Sequence, residues 1–364
     1  MHDDRALQET RFQRILWERV LPSMYRRLEP LTVEAWEAPG EPVRFAEARA
    51  AAYQPFEVGS PWGEPWGTTW FRVTGEVPPG WGELGDRYAV EAVIDLGFHQ
   101  DAAGFQAEAL AWTADGTPLQ GIHPRRHAVP VGASGPVTLY LEAASNPAFP
   151  DFTRSVMGDR ATWPRRPIYR LRQAALGLRD REVYHLLLDL EVLIGTMLEL
   201  PTNEQRRRRL LRTLTDAFDV LDPADVHGTA VATRRVLAPA LAVPAKGSSH
   251  RIIAVGHAHI DTAWLWPLRE TERKCARTFA SAVRLLDDDP DYRFVCSQAV
   301  QYRWIEDHAP HHLRRHPPPR GRGAMGGGGR DVGRAGHEPD QRRVHRPPAG
   351  PRAALLRVTL RQAL

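Results

Sequence analysis

The chain has 364 residues, of which 42 % are hydrophobic and 25 % are charged. This composition is ordinary for a globular protein, and the length is enough for two or three domains. The first twenty residues are charged and amphipathic, and no apolar run reaches the roughly 20 residues of a membrane span. The sequence therefore predicts a cytoplasmic protein without a signal peptide or a membrane-spanning helix.

The formal net charge of +4 is unevenly distributed along the chain. Residues 311–364 contain 12 arginines and 3 acidic residues and carry +9, whereas residues 1–310 carry −5. The basic character belongs to the last segment, so the composition does not indicate a nucleic-acid partner. Cys275 and Cys296 are predicted to be reduced core residues, because two thiols in a long chain without a signal peptide rarely form a disulfide framework.

The N-terminal half is predicted to hold a helix and a β-rich domain. Residues 1–67 comprise a helix over 11–28, broken by Pro22, and an irregular segment rich in Pro, Gly and Trp. Residues 68–150 contain short β-like runs separated by Gly, Pro and Asp-Gly turns, including a hairpin turn at Asp115-Gly116. Such spacing is typical of a β-sandwich.

The next segment, residues 151–248, is predicted to be a helical connector. Three stretches have one apolar and one charged face, at 181–200, 204–221 and 224–241. Asn203 and Asp222 are candidate N-cap residues for the second and third helices. A short linker then leads to a new domain.

Residues 249–310 are predicted to begin an α/β domain. The run RIIAVG has the composition of a buried strand, a helix follows at 268–287, and 292–298 is a second buried strand. Strand, loop, helix and strand in this order open a parallel α/β domain. The fold class is therefore multidomain α+β and α/β, ending in the first β-α-β of a truncated (β/α) barrel.

The loop after the first of these strands carries the residues with chemical potential. His259 and Asp261 are two positions apart, so both side chains point the same way if the chain is extended. An imidazole nitrogen and a carboxylate oxygen suit zinc. His257 falls on the same side, and Trp264 and Trp266 offer faces for sugar rings. A His-x-His after a first strand also fits an amidohydrolase-type metal enzyme, which stays open at this point.

The wider segment resembles one family closely. GHAHIDTAWLWPLRET (256–271) followed by CSQAVQYRWIEDHAP (296–310) resembles the start of the catalytic domain of glycoside hydrolase family 38 α-mannosidases. Upstream, GTTWFRVTGEVP, PLQGIHPRRH and LYLEAASNP resemble the cytosolic branch of that family in the same order. The resemblance covers roughly residues 12–310.

The resemblance implies a retaining, zinc-dependent hydrolysis of terminal α-mannosyl residues, acting on α-mannoside oligosaccharides. A carboxylate nucleophile forms a glycosyl-enzyme, and a second carboxylic acid protonates the leaving oxygen. The family's pattern makes His259 and Asp261 zinc ligands and Trp264 a substrate-contacting residue, with His257 and Trp266 as weaker candidates. It also implies that the full-length protein is a homo-oligomer.

The resemblance stops after Pro310. Residues 311–364 contain no Phe, Trp or Tyr, and they hold 9 Gly and 7 Pro. Read literally, this composition predicts a disordered basic tail.

The genetic code offers a second explanation for this tail. When the last two bases of each codon are joined to the first base of the next, Met325-Gly326 forces Trp. Guided by the family where codons are degenerate, the following overlaps permit EVVGGMWVEPDTNLTSGE, text similar to the family's and containing its nucleophile Asp. We predict a one-frame slip close to residue 311, an out-of-frame disordered tail after it, and a chain without its nucleophile.

A third class of function is a non-catalytic carbohydrate-binding module centred on the β-rich residues 68–145. It predicts sugar binding that survives deletion of residues 250–364. The amidohydrolase alternative instead predicts cleavage of amide or ester bonds, and it leaves the β-rich domain unexplained.

Overall fold

The computed structural model describes six ranges of the chain, which are 5–99, 103–148, 165–244, 252–263, 266–296 and 298–308. These ranges form a β-sandwich, a helical region and a small α/β unit. The mixed architecture, with a β-rich part followed by helices, agrees with the predicted fold class. None of the described helices combines the length and the apolar character needed to cross a bilayer.

Twelve short strands build the β-rich part. They are β1 (Tyr25–Pro30), β2 (Thr32–Glu37), β3 (Gln54–Pro55), β4 (Pro61–Trp62), β5 (Thr68–Val77), β6 (Tyr88–Asp95), β7 (Glu108–Thr113), β8 (Pro118–Ile122), β9 (Ala128–Pro130), β10 (Gly135–Ala144), β11 (Tyr169–Arg170) and β12 (Gln173–Asp180). One antiparallel sheet has the order β1-β12-β6-β9, the other β3-β2-β5-β10-β7-β8, and β4 pairs separately with β11.

Alternation of apolar side chains explains how the two sheets pack. Val73 on β5 lies opposite Leu139 on β10, and Phe71 lies opposite Leu141, all on the inner face. Leu176 on β12 reaches the same core from the other sheet. The predicted hairpin between β7 and β8 turns where Gly116 adopts φ 90°, a conformation that Gly accepts without strain.

The sandwich is larger than the predicted range of 68–150. Strands β1 and β2 precede that range and β12 follows it, yet each is a full member of a sheet. Strand β1 is an edge strand whose residues are almost all exposed, so its sequence carries no apolar alternation. Segment 1–67, predicted as a helix and an irregular stretch, therefore contributes β1 and β2, which are defined by long-range pairing with β12 and β5.

Seven α-helices lie in the described ranges. They are α1 (Arg5–Ile15), α2 (Phe45–Ala50), α3 (Arg181–Glu199), α4 (Gln205–Val220), α5 (Val226–Leu241), α6 (Leu268–Asp288) and α7 (Ala299–His308). The three predicted helices of the connector are confirmed as α3, α4 and α5. Helix α1 packs against them, with the rings of Phe12 and Phe218 stacked 4.8 Å apart.

The N-caps of these helices differ from the predicted ones. Asp225 caps α5, its carboxylate accepting from the Gly228 N–H at 3.0 Å, whereas Asp222 lies in the preceding turn. Helix α4 starts after Glu204 instead of Asn203. Asp180 caps α3, is fully buried, and also receives a hydrogen bond from Arg87, so it fastens the sandwich to the helical region.

The α/β unit follows the helical region. Strands β13 (Gly256–His257) and β14 (Phe294–Val295) are parallel, and α6 connects them, as the sequence predicted. Phe279 of α6 contacts Phe294 and Tyr302 edge-to-face in a core that also holds Cys275 and Cys296. Both cysteines are free and buried, as predicted.

The prediction that RIIAVG forms a buried strand is wrong, because its apolar side chains are exposed. Ile252 and Ile253 are 86 % and 78 % exposed, and Val255 is 45 % exposed. In the described part of the chain β13 pairs with β14 alone, so neither a further strand nor another layer covers these side chains. The rest of the unit, by contrast, packs into a core against the sandwich through Trp66.

Candidate metal centre

His259 and Asp261 lie in the loop that follows β13, at the carboxyl end of a parallel strand. The Nε2 atom of His259 is 3.1 Å from Oδ1 of Asp261. Two such ligands on a tetrahedral ion, each about 2.1 Å from it, would be about 3.4 Å apart. The side chains are 70 % and 37 % exposed, so both atoms are accessible to an ion from solvent. The pair therefore fits one edge of a zinc coordination sphere.

Two ligands leave a four-coordinate ion incomplete. The part of the chain that the structure describes contains no group of three His, Cys, Asp or Glu residues able to hold a metal ion. His257 on β13 is exposed and lines the same cavity, but it does not complete such a group. Any further ligands must come from other residues or from water.

Of the two tryptophans predicted to contact the sugar, the structure describes one. Trp264 lies outside the described residues. Trp266 is 7 % exposed, its ring centroid is 6.0 Å from that of Phe105, and Lys274 Nζ stands 4.6 Å from the ring. Its indole is thus packed between the sandwich and α6, in the wall of a cavity.

That cavity, of about 520 Å³, separates the sandwich from the α/β unit. Phe105 and His123 line it on the sandwich side, and His257, His259 and Asp261 line it on the other. Burial lowers the pKa of His123, which favours its neutral form. The candidate metal ligands therefore face a space bounded by both structural units.

A buried ionic cluster joins the same two units. From α6, Arg273 Nε lies 2.8 Å from Glu142 of β10. Lys274 Nζ and Arg277 Nη2 lie 3.2 Å and 2.8 Å from the same oxygen of Glu108 on β7. All five side chains are at most 12 % exposed. The helix thus presents three cations to two carboxylates of the sheet.

Glu270 completes the cluster from within α6. It is 2 % exposed, accepts a 2.8 Å hydrogen bond from Asn146 at the end of β10, and pairs with Arg273 and Arg277. Three carboxylates therefore balance three cations. Such a cluster is sensitive to the loss of any member, since an unpaired charge would remain buried.

The pKa values agree with an ionised cluster. Burial opposes the charge of Glu108, but Lys274 and Arg277 outweigh it and lower its pKa to about 2. Burial likewise opposes the charge of Glu270, while Arg277 and Arg273 lower its pKa overall. The two carboxylates in turn raise the pKa of Arg277 against the effect of burial. Glu108, Glu270 and Arg277 are therefore ionised at neutral pH.

The fold and the matched segments define the class of protein. Residues 29–177 match the family described as "Alpha-mannosidase, jelly roll domain", and residues 249–315 match "Glycosyl hydrolases family 38 N-terminal domain". The β-sandwich is thus a jelly roll, and the unit that carries His259 and Asp261 begins a glycoside hydrolase domain.

Curated relatives identify the family. The chain is 33 % identical over 278 residues to alpha-mannosidase 2C1 of Mus musculus and 34 % identical over 279 residues to that of Homo sapiens. It is 30 % identical over 203 residues to an alpha-mannosidase of Saccharomyces cerevisiae, covering 53 % of this chain and 18 % of the relative. The chain belongs to glycoside hydrolase family 38, the α-mannosidases. The mouse and human alignments cover 74 % of this chain and 25 % of each relative, so it spans about a quarter of their length.

Proposed function

We propose that the chain is the N-terminal portion of a retaining α-mannosidase in which His259 and Asp261 bind zinc or another divalent cation. The observation that carries this proposal is the 3.1 Å spacing of their donor atoms at the end of β13. The pair lies within the segment that matches the family 38 N-terminal domain. This membership argues against the amidohydrolase alternative.

Each residue of the site has a proposed role. The bound cation would polarise vicinal hydroxyls of a terminal mannosyl residue. His259 offers its Nε2 lone pair and Asp261 its carboxylate as ligands. Trp264 would supply an apolar wall for the sugar ring, with His257 and Trp266 as weaker contributors.

The substrates would be α-mannoside oligosaccharides in the cytoplasm. The relatives are alpha-mannosidases, and the mildly acidic residues 1–310 offer no general attraction for nucleic acid. We propose a homo-oligomer for the full-length protein only, by analogy with the family.

We further propose that the reading frame of the gene is shifted by one position close to codon 311. The match to the family ends at residue 315, and the shifted frame permits text similar to the family's nucleophile segment. The 364-residue chain would then lack the nucleophile, the general acid and the remaining metal ligands.

The proposed frameshift predicts that the 364-residue chain has no α-mannosidase turnover and that the frame-restored protein is active. The 364-residue chain is expected to hydrolyse no aryl α-mannoside, because the proposed frameshift removes the nucleophile from its sequence. The gene with its frame restored near codon 311 should yield a protein that releases mannose with retained anomeric configuration, measured by NMR of the first product. Hydrolysis by the 364-residue chain itself would refute the proposal.

A further inference from the structure

Thr271, in the first turn of α6, is hydrogen-bonded to the loop that carries the candidate metal ligands. Its hydroxyl accepts from the Ala263 N–H and from the Trp266 indole N–H, both at 3.0 Å. The same hydroxyl donates to the Asp261 carbonyl oxygen at 3.4 Å. A hydroxyl has one donor and two acceptor sites, so Thr271 is used to its full capacity.

The backbone of this loop needs such support. Ala263 adopts φ 53°, the left-handed region, which costs a residue with a side chain roughly 1–2 kcal/mol. The Thr271 bond to the Ala263 N–H holds that conformation, and Thr271 is completely buried, so water does not replace it. The turn at Ala263 directs the chain from Asp261 back toward α6.

A second anchor holds the other end of the loop. Gln301 of α7 donates to the Ile260 carbonyl at 2.9 Å, and it is fully buried. Residues 260–263 are therefore fixed from α6 on one side and from α7 on the other. Thr271 bonds the backbone of Asp261 itself, whereas Gln301 bonds the neighbouring residue Ile260.

We propose that Thr271 is a positioning residue for the metal-binding pair, holding Asp261 at the orientation in which its carboxylate and the His259 imidazole share one cation. The inference rests on the proposed function of that pair. It adds that the geometry depends on a buried hydroxyl that touches no reacting atom. Residues in this position typically change metal affinity by 10–100-fold when they are replaced.

The test uses the frame-restored protein and compares Thr271→Val, which removes the hydroxyl at nearly constant volume, with Thr271→Ser, which retains it. Thr278→Val makes the same change two turns further along α6, where the side chain faces the cavity. Zinc affinity is measured by competition with a chromogenic chelator. Hydrogen exchange reports the protection of the Ala263 amide and, separately, of α6.

We expect Thr271→Val to weaken zinc binding by about 10-fold or more and to expose the Ala263 amide, while α6 stays protected. Thr271→Ser and Thr278→Val should match the parent chain within about 3-fold. If α6 itself opens in Thr271→Val, Thr271→Ala gives the same comparison with less crowding, and failure of the serine variant to restore zinc binding would overturn the inference.

The outcomes separate the two proposals. A frame-restored parent protein that binds no zinc would overturn the proposed function and the inference that rests on it. A parent that binds zinc, with Thr271→Val binding it equally well, would overturn the inference alone.

Discussion

Replacing both His259 and Asp261 by alanine in the frame-restored protein should lower kcat/KM for an aryl α-mannoside by at least about 10³-fold. The pair offers two donor atoms 3.1 Å apart, and without them the proposed cation loses both of its candidate ligands in the described part of the chain. Metal polarisation of substrate oxygens is worth several kcal/mol of barrier, and about 4 kcal/mol corresponds to that factor. Steady-state kinetics with metal analysis of each variant measures the effect.

His257→Ala is the matched control for this double substitution. It removes an exposed imidazole from the same strand and the same cavity, but not from the donor pair. We expect a loss below about 10-fold, since single remote contacts contribute about 1 kcal/mol. A double variant that kept both its metal and its rate would show that the metal ligands lie elsewhere.

Glu270→Ala should destabilise the packing of α6 on the jelly roll by about 3–5 kcal/mol. The substitution leaves Arg273 and Arg277 short of a carboxylate in a buried site and removes the partner of Asn146. Hydrogen exchange of the α6 amides measures the free energy of opening directly, without assuming that the whole chain unfolds in one step.

An exposed pair on the same helix provides the control. Asp288→Ala breaks the pair of Arg284 with Asp288, whose side chains are 36 % and 48 % exposed. Exposed pairs at this spacing are worth about 0.3–0.5 kcal/mol, so the α6 amides should be nearly unchanged. Equal effects of the two substitutions would contradict the role assigned to the buried cluster.

Lowering the pH should destabilise the same interface between α6 and the jelly roll. The folded-state pKa of Glu108, about 2, lies below its usual value, and that of Glu270 is also lowered. The unfolded chain therefore binds protons first as the pH falls, so stability is complete above about pH 4.5 and is lost as the pH falls toward 2. The protection of α6 should follow that range in the parent chain and lose part of this dependence in Glu270→Ala.

Secondary structure could be predicted wherever a segment shows a clear hydrophobic periodicity or turn motif of its own. Helices α3 to α6 have long amphipathic repeats, and the hairpin of β7 and β8 has an Asp-Gly turn, so local sequence was sufficient. Strands β1 and β12 were not predicted, because β1 is an exposed edge whose structure depends on a partner about 150 residues away. Exposure of Ile252 was not predictable either, since an apolar run does not show whether its neighbours are present.

Of the candidate site, only the proposed metal ligands could be predicted from the sequence, and the residues that support them could not. Two residues at i and i+2 after a strand share a face, and the structure brings His259 and Asp261 together. The pairing of Glu108 with Lys274 and Arg277 joins residues far apart in sequence, and no spacing rule indicates it. Thr271 looks like an ordinary helix residue until the bonds of its hydroxyl are seen.

A metal titration of the frame-restored protein tests the central claim most directly. The protein is stripped with a chelator, and hydrolysis of an aryl α-mannoside is followed as zinc is added back in known amounts. We predict no activity without metal and a linear rise to a plateau at about one equivalent per chain. Full activity in the metal-free protein, or a protein that takes up no metal, would contradict the assignment of His259 and Asp261.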